Sequence, residues 1–180
     1  MQTIKKNTVL TWEIAGVIFI FTAGSLLHFV FDWLGQWKPI ALIAAVNESV
    51  WEHLKLAFWP GVLHYTVEYK YLKKITRNFI VAKTAALYLA PIIIIVLFYS
   101  YTAVLGRHLL FLDILIFAIA VAAAQLASYK LLILPRLPKS LHITAVVFLV
   151  LIFLSFLFFT FLPPNLPLFE DSITGGYGIH

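Results

Sequence analysis

Cysteine is absent from this 180-residue chain, and charge is scarce: Asp, Glu, Lys and Arg together make up only 12% of it. The first absence excludes a disulfide framework, a thiolate metal site and a cysteine nucleophile. The second, set beside 62% hydrophobic residues and a mean hydropathy of +0.96, excludes a water-soluble domain. A chain of this size could not cover so much apolar material with so little polar surface. A lipid bilayer is therefore its solvent. Aromatic residues reach 16%, mostly Phe, which suits lipid-facing helices and interfacial belts. The net charge of +5 does not point to nucleic acid, because the basic residues are scattered through short connections between apolar runs.

Crossing a hydrocarbon core of about 30 Å takes about 20 helical residues. The sequence predicts an all-α, polytopic membrane helix bundle of about five transmembrane helices, near residues 12–34, 50–72, 79–101, 108–134 and 141–162. The first apolar run is too long for a secretory signal and lacks a small-residue cleavage pattern, so it is expected to be retained. No internal repeat suggests a duplicated transporter fold.

Lys5, Lys6, Lys70, Lys73, Lys74, Arg77, Lys83, Lys130, Arg136 and Lys139 fall at the N-terminus or in the second and fourth connections, against Lys38 and Arg107 in the first and third. The positive-inside rule then places a multi-pass protein in the cell membrane with its N-terminus cytoplasmic and its C-terminal tail, 163–180, external. Trp33, Trp37, Trp51, Tyr99 and Tyr101 read as the outer aromatic belt, and Trp12, Tyr69, Tyr71 and Tyr129 as the inner one.

Between the first two spans the chain needs a break, since an unbroken helix from Pro39 to Leu72 would approach about 50 Å. Pro39 suits a helix start, and Asn47 or Ser49 can end one helix and cap the next. The expectation is a short interfacial or re-entrant helix at 39–46. Pro60-Gly61 and Pro91 should kink spans two and three. The tail opens with Pro163-Pro164-Asn165-Leu166-Pro167, a stiff extended exit, and its later aromatic and apolar residues make docking on the outer mouth an alternative to a free terminus.

Ionisable side chains inside hydrocarbon are costly and seldom lack a partner or a task. Here they gather at one depth. His28 and Asp32 lie one turn apart on span one, and span two opens with Asn47, Glu48, Ser49, Glu52, His53 and Lys55. Asp113 adds a carboxylate on span four. The expected picture is one outward-facing pocket walled by spans one, two and four.

Imidazoles beside carboxylates suit a divalent metal such as zinc, which takes His nitrogen and carboxylate oxygen and acidifies a bound water. On that reading His28, Asp32 and His53 are the ligands, Glu48, Glu52 and His53 the catalytic acid/base groups, and Asn47, Ser49, Lys55 and Asp113 supporting polar residues. No HExxH or similar signature fixes the assignment. Three classes stay open: a metal-dependent hydrolase or transferase acting on a lipid or membrane-associated substrate, a small transporter, channel or solute-binding protein, and a structural or accessory subunit whose polar groups satisfy one another. Ser49 beside His53 also evokes a nucleophile, against the commoner role of a helix cap. On the cytoplasmic side His64 and Glu68 repeat the one-turn spacing, with Glu13 near the start of span one and Lys70, Lys83 or Lys130 as snorkelling partners.

The run Asn47-Glu48-Ser49-Val50-Trp51-Glu52-His53-Leu54-Lys55, followed by Phe58-Trp59-Pro60, resembles an uncharacterised bacterial family of small multi-span membrane proteins. The tail segments Pro167-Leu168-Phe169-Glu170-Asp171 and Thr174-Gly175-Gly176-Tyr177-Gly178 share in the resemblance. It implies a bacterial membrane location and carries no activity, cofactor or catalytic residue with it.

Overall fold

The computed structural model describes residues 5–179; residues 1–4 and His180, the last of the expected external tail, lie outside them. Five long helices follow one another: α1 (Lys6–Trp33), α2 (Val50–Leu72), α3 (Phe79–Leu105), α4 (Leu110–Leu132) and α5 (Lys139–Phe161). Two short 3-10 helices complete the architecture, η1 (Lys38–Leu42) between α1 and α2 and η2 (Pro167–Phe169) in the tail. A helical membrane bundle is the expected outcome in lipid, where backbone polar groups must be satisfied within each segment.

Four of the five helices, α1, α3, α4 and α5, are long and apolar enough to cross a membrane, with mean hydropathies between 2.2 and 2.8 over their most apolar stretches. This corrects the expectation of about five apolar spans. Helix α2 matches α4 and α5 in length at 23 residues, but Glu52, His53, Lys55, His64, Glu68 and Lys70 lower its hydropathy. The bundle accommodates them by surrounding α2: its buried positions run from Glu52 to Leu72 and include Lys55, His64 and Glu68. Helix α5, by contrast, buries only Ala145, Ile152, Phe156 and Thr160 and turns residues such as Val147, Leu151, Leu154 and Phe158 outward, as a lipid-facing helix does.

Helices α1 and α2 pack antiparallel. The His28 and His53 rings of α1 and α2 meet at 5.1 Å, while at the opposite end His64 reaches the Trp12 carbonyl. Gly24 makes the close approach of α1 to α2, and Gly16 leaves room for Gln125 and His64. Helices α2 and α3 run unbroken through Pro60 and Pro91. At the basic end, Asn78 ties two connections together. Its Nδ2 donates to the carbonyls of Leu131, Leu134 and Pro135, and its Oδ1 accepts from the Leu137 N–H at 2.9 Å.

The fold gives one aromatic and one basic residue specific partners. Trp51 is a platform for the tail, packing on Phe156, Phe159 and Phe169 with ring centroids 4.8, 5.6 and 4.9 Å away. Lys83 is the partner of Glu13 and Glu68 among the three expected bases, but it does not snorkel, being 4% exposed.

Candidate functional site

The connection from α1 to α2 builds the site. Pro39 sits in the first turn of η1, where its missing N–H costs nothing. The chain then doubles back over the start of α2. Ser49 caps that helix, its hydroxyl accepting the Glu52 N–H at 3.3 Å, while the Ser49 N–H donates to Asn47 Oδ1 at 3.0 Å. Ser49 is buried and is used as a cap.

Glu52 and Lys55 form a buried pair at 2.5 Å that locks three segments together. Lys55 Nζ also donates to the Ala41 carbonyl at 2.8 Å and to Thr160 Oγ1 at 3.1 Å. Glu52 Oε2 accepts the Val46 N–H at 3.0 Å. The pair thus joins η1, α2 and α5, and its polar atoms are saturated by the fold. An ammonium and a carboxylate taken out of water need such company.

Beside this clamp, His28, Glu48 and His53 converge. One ligand atom from each lies within 4.8 Å of the others, with Glu48 Oε1 3.6 Å from His28 Nε2 and Glu48 Oε2 3.4 Å from His53 Nε2. His53 Nδ1 lies 2.8 Å from the Ser49 carbonyl, which fixes the proton on that nitrogen because a carbonyl can only accept. In the neutral ring Nε2 then presents a lone pair toward the carboxylate. Lone pair and carboxylate repel unless a cation, or a proton on the ring, stands between them. Imidazoles that ligate metals are commonly held in this way by a backbone carbonyl. Once the ring carries a second proton, Nε2–H donates to Glu48, and this bond holds the Glu48 carboxyl below its ordinary range, against burial and helped by the nearby charge of His53 and His28.

The tail closes over this corner. Asn47 Nδ2 donates to the Gly178 carbonyl at 2.9 Å and Ser172 Oγ to the Glu48 carbonyl at 3.2 Å. Phe169, 5% exposed, stacks on Trp51. Gly175, at φ +69°, allows the turn that brings the Asp171 N–H to the Gly176 carbonyl at 2.9 Å. Burial pushes the Asp171 carboxyl up, yet the Thr174 hydroxyl and the N–H groups of Ile173, Glu48 and Thr174 outweigh it and hold the group below its ordinary range.

The structure therefore brings together His28, Glu48 and His53, with Asn47 and Ser49 beside them and the Glu52–Lys55 clamp adjacent, and places Asp32 and Asp113 apart. Asp32, one turn beyond His28, is exposed and not among the converging atoms; Glu48 supplies the carboxylate instead, because the α1–α2 connection folds it back between the two rings. Asp113 is occupied elsewhere, accepting a hydrogen bond from Tyr101 and lying 3.3 Å from His108 Nδ1. The site is walled by α1, α2 and the tail, with α5 behind the clamp, and not by α4. Nothing in the sequence places the tail on Glu48 except its own apolar residues.

Residues 1–179 match a family of unknown function (DUF6512), so the chain belongs to that family. No curated protein and no solved structure matches it.

Proposed function

We propose that this membrane protein of the family binds a divalent metal ion such as zinc through His28, Glu48 and His53, and uses it as a hydrolase or transferase acting on a lipid or other membrane-associated substrate. The observation that supports this is the meeting of two imidazole Nε2 atoms and one carboxylate, with His53 locked by the Ser49 carbonyl in the tautomer that offers Nε2. Two His and one carboxylate leave a coordination position open on zinc, and a metal there polarises an ester or phosphoryl oxygen and lowers the pKa of a bound water to about 7. Side-chain exposures of 27% for His28, 40% for Glu48 and 34% for His53 leave that position reachable. Glu48 acts as a ligand in this arrangement, while Glu52 and Lys55 hold the scaffold. With the basic connections inside, the metal corner and the tail face the exterior.

Solute passage is the rival reading. It needs a polar route along α2, yet Leu54, Ala57 and Phe58 are buried apolar residues between the two polar centres. The small cavity at mid-bundle, lined largely by Ile20, Ala57, Leu87 and Val121, has room for about one water.

Elemental analysis and zinc titration of purified protein test the metal centre. Retained metal, and stabilisation by zinc that disappears in His28→Ala, Glu48→Gln and His53→Ala, is expected. Metal-free protein indifferent to zinc, cobalt and manganese would refute the centre. Metal-loaded protein inert toward ester and phosphodiester lipids in mixed micelles would refute the catalytic part alone.

A further inference from the structure

The other half of the bundle encloses a second set of ionisable groups, independent of the metal corner. Glu13 of α1, Glu68 of α2 and Lys83 of α3 are 2%, 0% and 4% exposed. Lys83 Nζ lies 2.7 Å from Glu13 Oε1 and 2.7 Å from Glu68 Oε2. Helix α4 adds Ser128, whose hydroxyl donates to Glu13 Oε1 at 2.8 Å, and Gln125, whose amide reaches the Glu13 carbonyl at 3.4 Å and accepts the Tyr65 hydroxyl at 2.5 Å. From α2, His64 Nε2 stands 3.2 Å from the Trp12 carbonyl and 3.7 Å from Glu68 Oε2.

The charges do not balance. Two carboxylates face one ammonium, so the fully ionised triad carries a net negative charge sealed from water. Buried charge of that kind is expensive unless it is neutralised. The hydrogen bonds are also incomplete: Glu13 Oε2 and Glu68 Oε1 are buried and find no hydrogen-bond partner among the described residues. A carboxylate oxygen left bare in an apolar interior is the place where a proton binds most favourably. His64 is badly placed to supply the missing positive charge. Its Nε2 lies 3.2 Å from the Trp12 carbonyl and 3.7 Å from Glu68 Oε2, so its N–H is spent on the backbone.

We propose that Glu13 and Glu68 share one bound proton, making the Glu13–Lys83–Glu68 triad a proton-binding site. The proton comes from water and returns to water, and no other reactant takes part. The site joins four helices, so its occupancy is tied to how α1, α2, α3 and α4 pack. Losing the proton leaves an uncompensated charge that apolar neighbours such as Phe79, beside Lys83, cannot stabilise.

Infrared difference spectroscopy of the full chain in lipid nanodiscs near neutral pH tests this through the C=O stretch of a protonated carboxyl group. The wild type should show that band, shifting on exchange into D2O. It should fall to background in Glu13→Gln and in Glu68→Gln, because either amide leaves a balanced one-to-one pair with Lys83, and both substitutions keep the side-chain shape. Lys83→Met should raise the band about twofold, since both carboxylates then need protons. Absence of the band in the wild type, or its persistence in both Gln variants, would overturn the proposal. So would stabilisation by sodium ions without a protonated-carboxyl band, which would identify a bound cation as the balancing charge.

Discussion

A Cβ added to Gly24 would stand 2.3 Å from the carbonyl oxygen of Leu56, so the backbones of α1 and α2 touch at this pair. The contact lies one turn from His28 along α1 and three residues from His53 along α2, and it sets the separation of the two imidazoles. Gly24→Ala must push the helices apart, at a cost of about 1–3 kcal/mol for overpacking. Zinc affinity should fall together with stability, because the rings move apart with their helices. Thermal unfolding and metal titration of the same variant check this; unchanged values for both would show that α1 yields without moving His28.

The metal corner should be sensitive to acid. Imidazoles must lose their protons to ligate, and an unperturbed His titrates near about 6.5. Zinc binding is therefore expected to weaken steeply as pH falls below about 6. Replacing either His by Ala should lower affinity by about 100-fold or more, beyond the 10- to 100-fold typical of losing an outer-shell partner. Calorimetric titration across pH reads both effects, and a pH-independent affinity would exclude imidazole ligands.

Glu52 and Lys55 show the behaviour expected of a buried pair. Lys55→Met strands the Glu52 carboxylate and Glu52→Gln strands the ammonium, each at about 3–5 kcal/mol. The double variant should cost less than the sum, because it leaves no unpaired charge. A double-mutant cycle on unfolding in detergent measures the coupling. Additive losses would mean the 2.5 Å contact carries no coupling.

The tail should undock in acid before the bundle unfolds. Glu48 and Asp171 both titrate below their ordinary ranges in the folded protein, Glu48 through its hydrogen bond from His53, Asp171 through the Thr174 hydroxyl and backbone N–H groups that outweigh its burial. Their contribution is complete above the unfolded values near about 4 and is lost as pH falls through the folded ones. Protease access to the tail should therefore rise at low pH, and Asp171→Asn should expose it already at neutral pH. Equal protection of variant and wild type at every pH would contradict this.

Removing the apolar anchor should act similarly. Phe169→Ala opens a hole against Trp51 and Phe159, with a loss of about 3 kcal/mol from truncating a buried Phe. Trp51 fluorescence should shift to the red as water reaches the indole. An unshifted spectrum would mean that Phe156 alone shields it.

The fold class was legible because it follows from composition and period. Long apolar runs in a chain with few charges leave only helices for a bilayer to accept. Ser49 as a cap was equally readable, since its hydroxyl meets the Glu52 N–H within one turn. Local chemistry of this kind needs no distant partner.

Which ionisable groups meet was decided by the tertiary structure. Helical spacing joined His28 to Asp32, but the fold-back of residues 38–49 put Glu48 against His28 and His53 instead. Lys83 was one of three bases expected to meet Glu13 and Glu68 at the interface, and the packing of α3 against α1 and α2 selected it and turned it inward between the two carboxylates. Sequence determined that this protein lives in lipid as helices, because hydropathy and backbone hydrogen bonding are properties of a segment. Long-range assembly chose the charge partners, because a side chain's partner in low dielectric is whatever neighbouring helix or connection the packing brings to it.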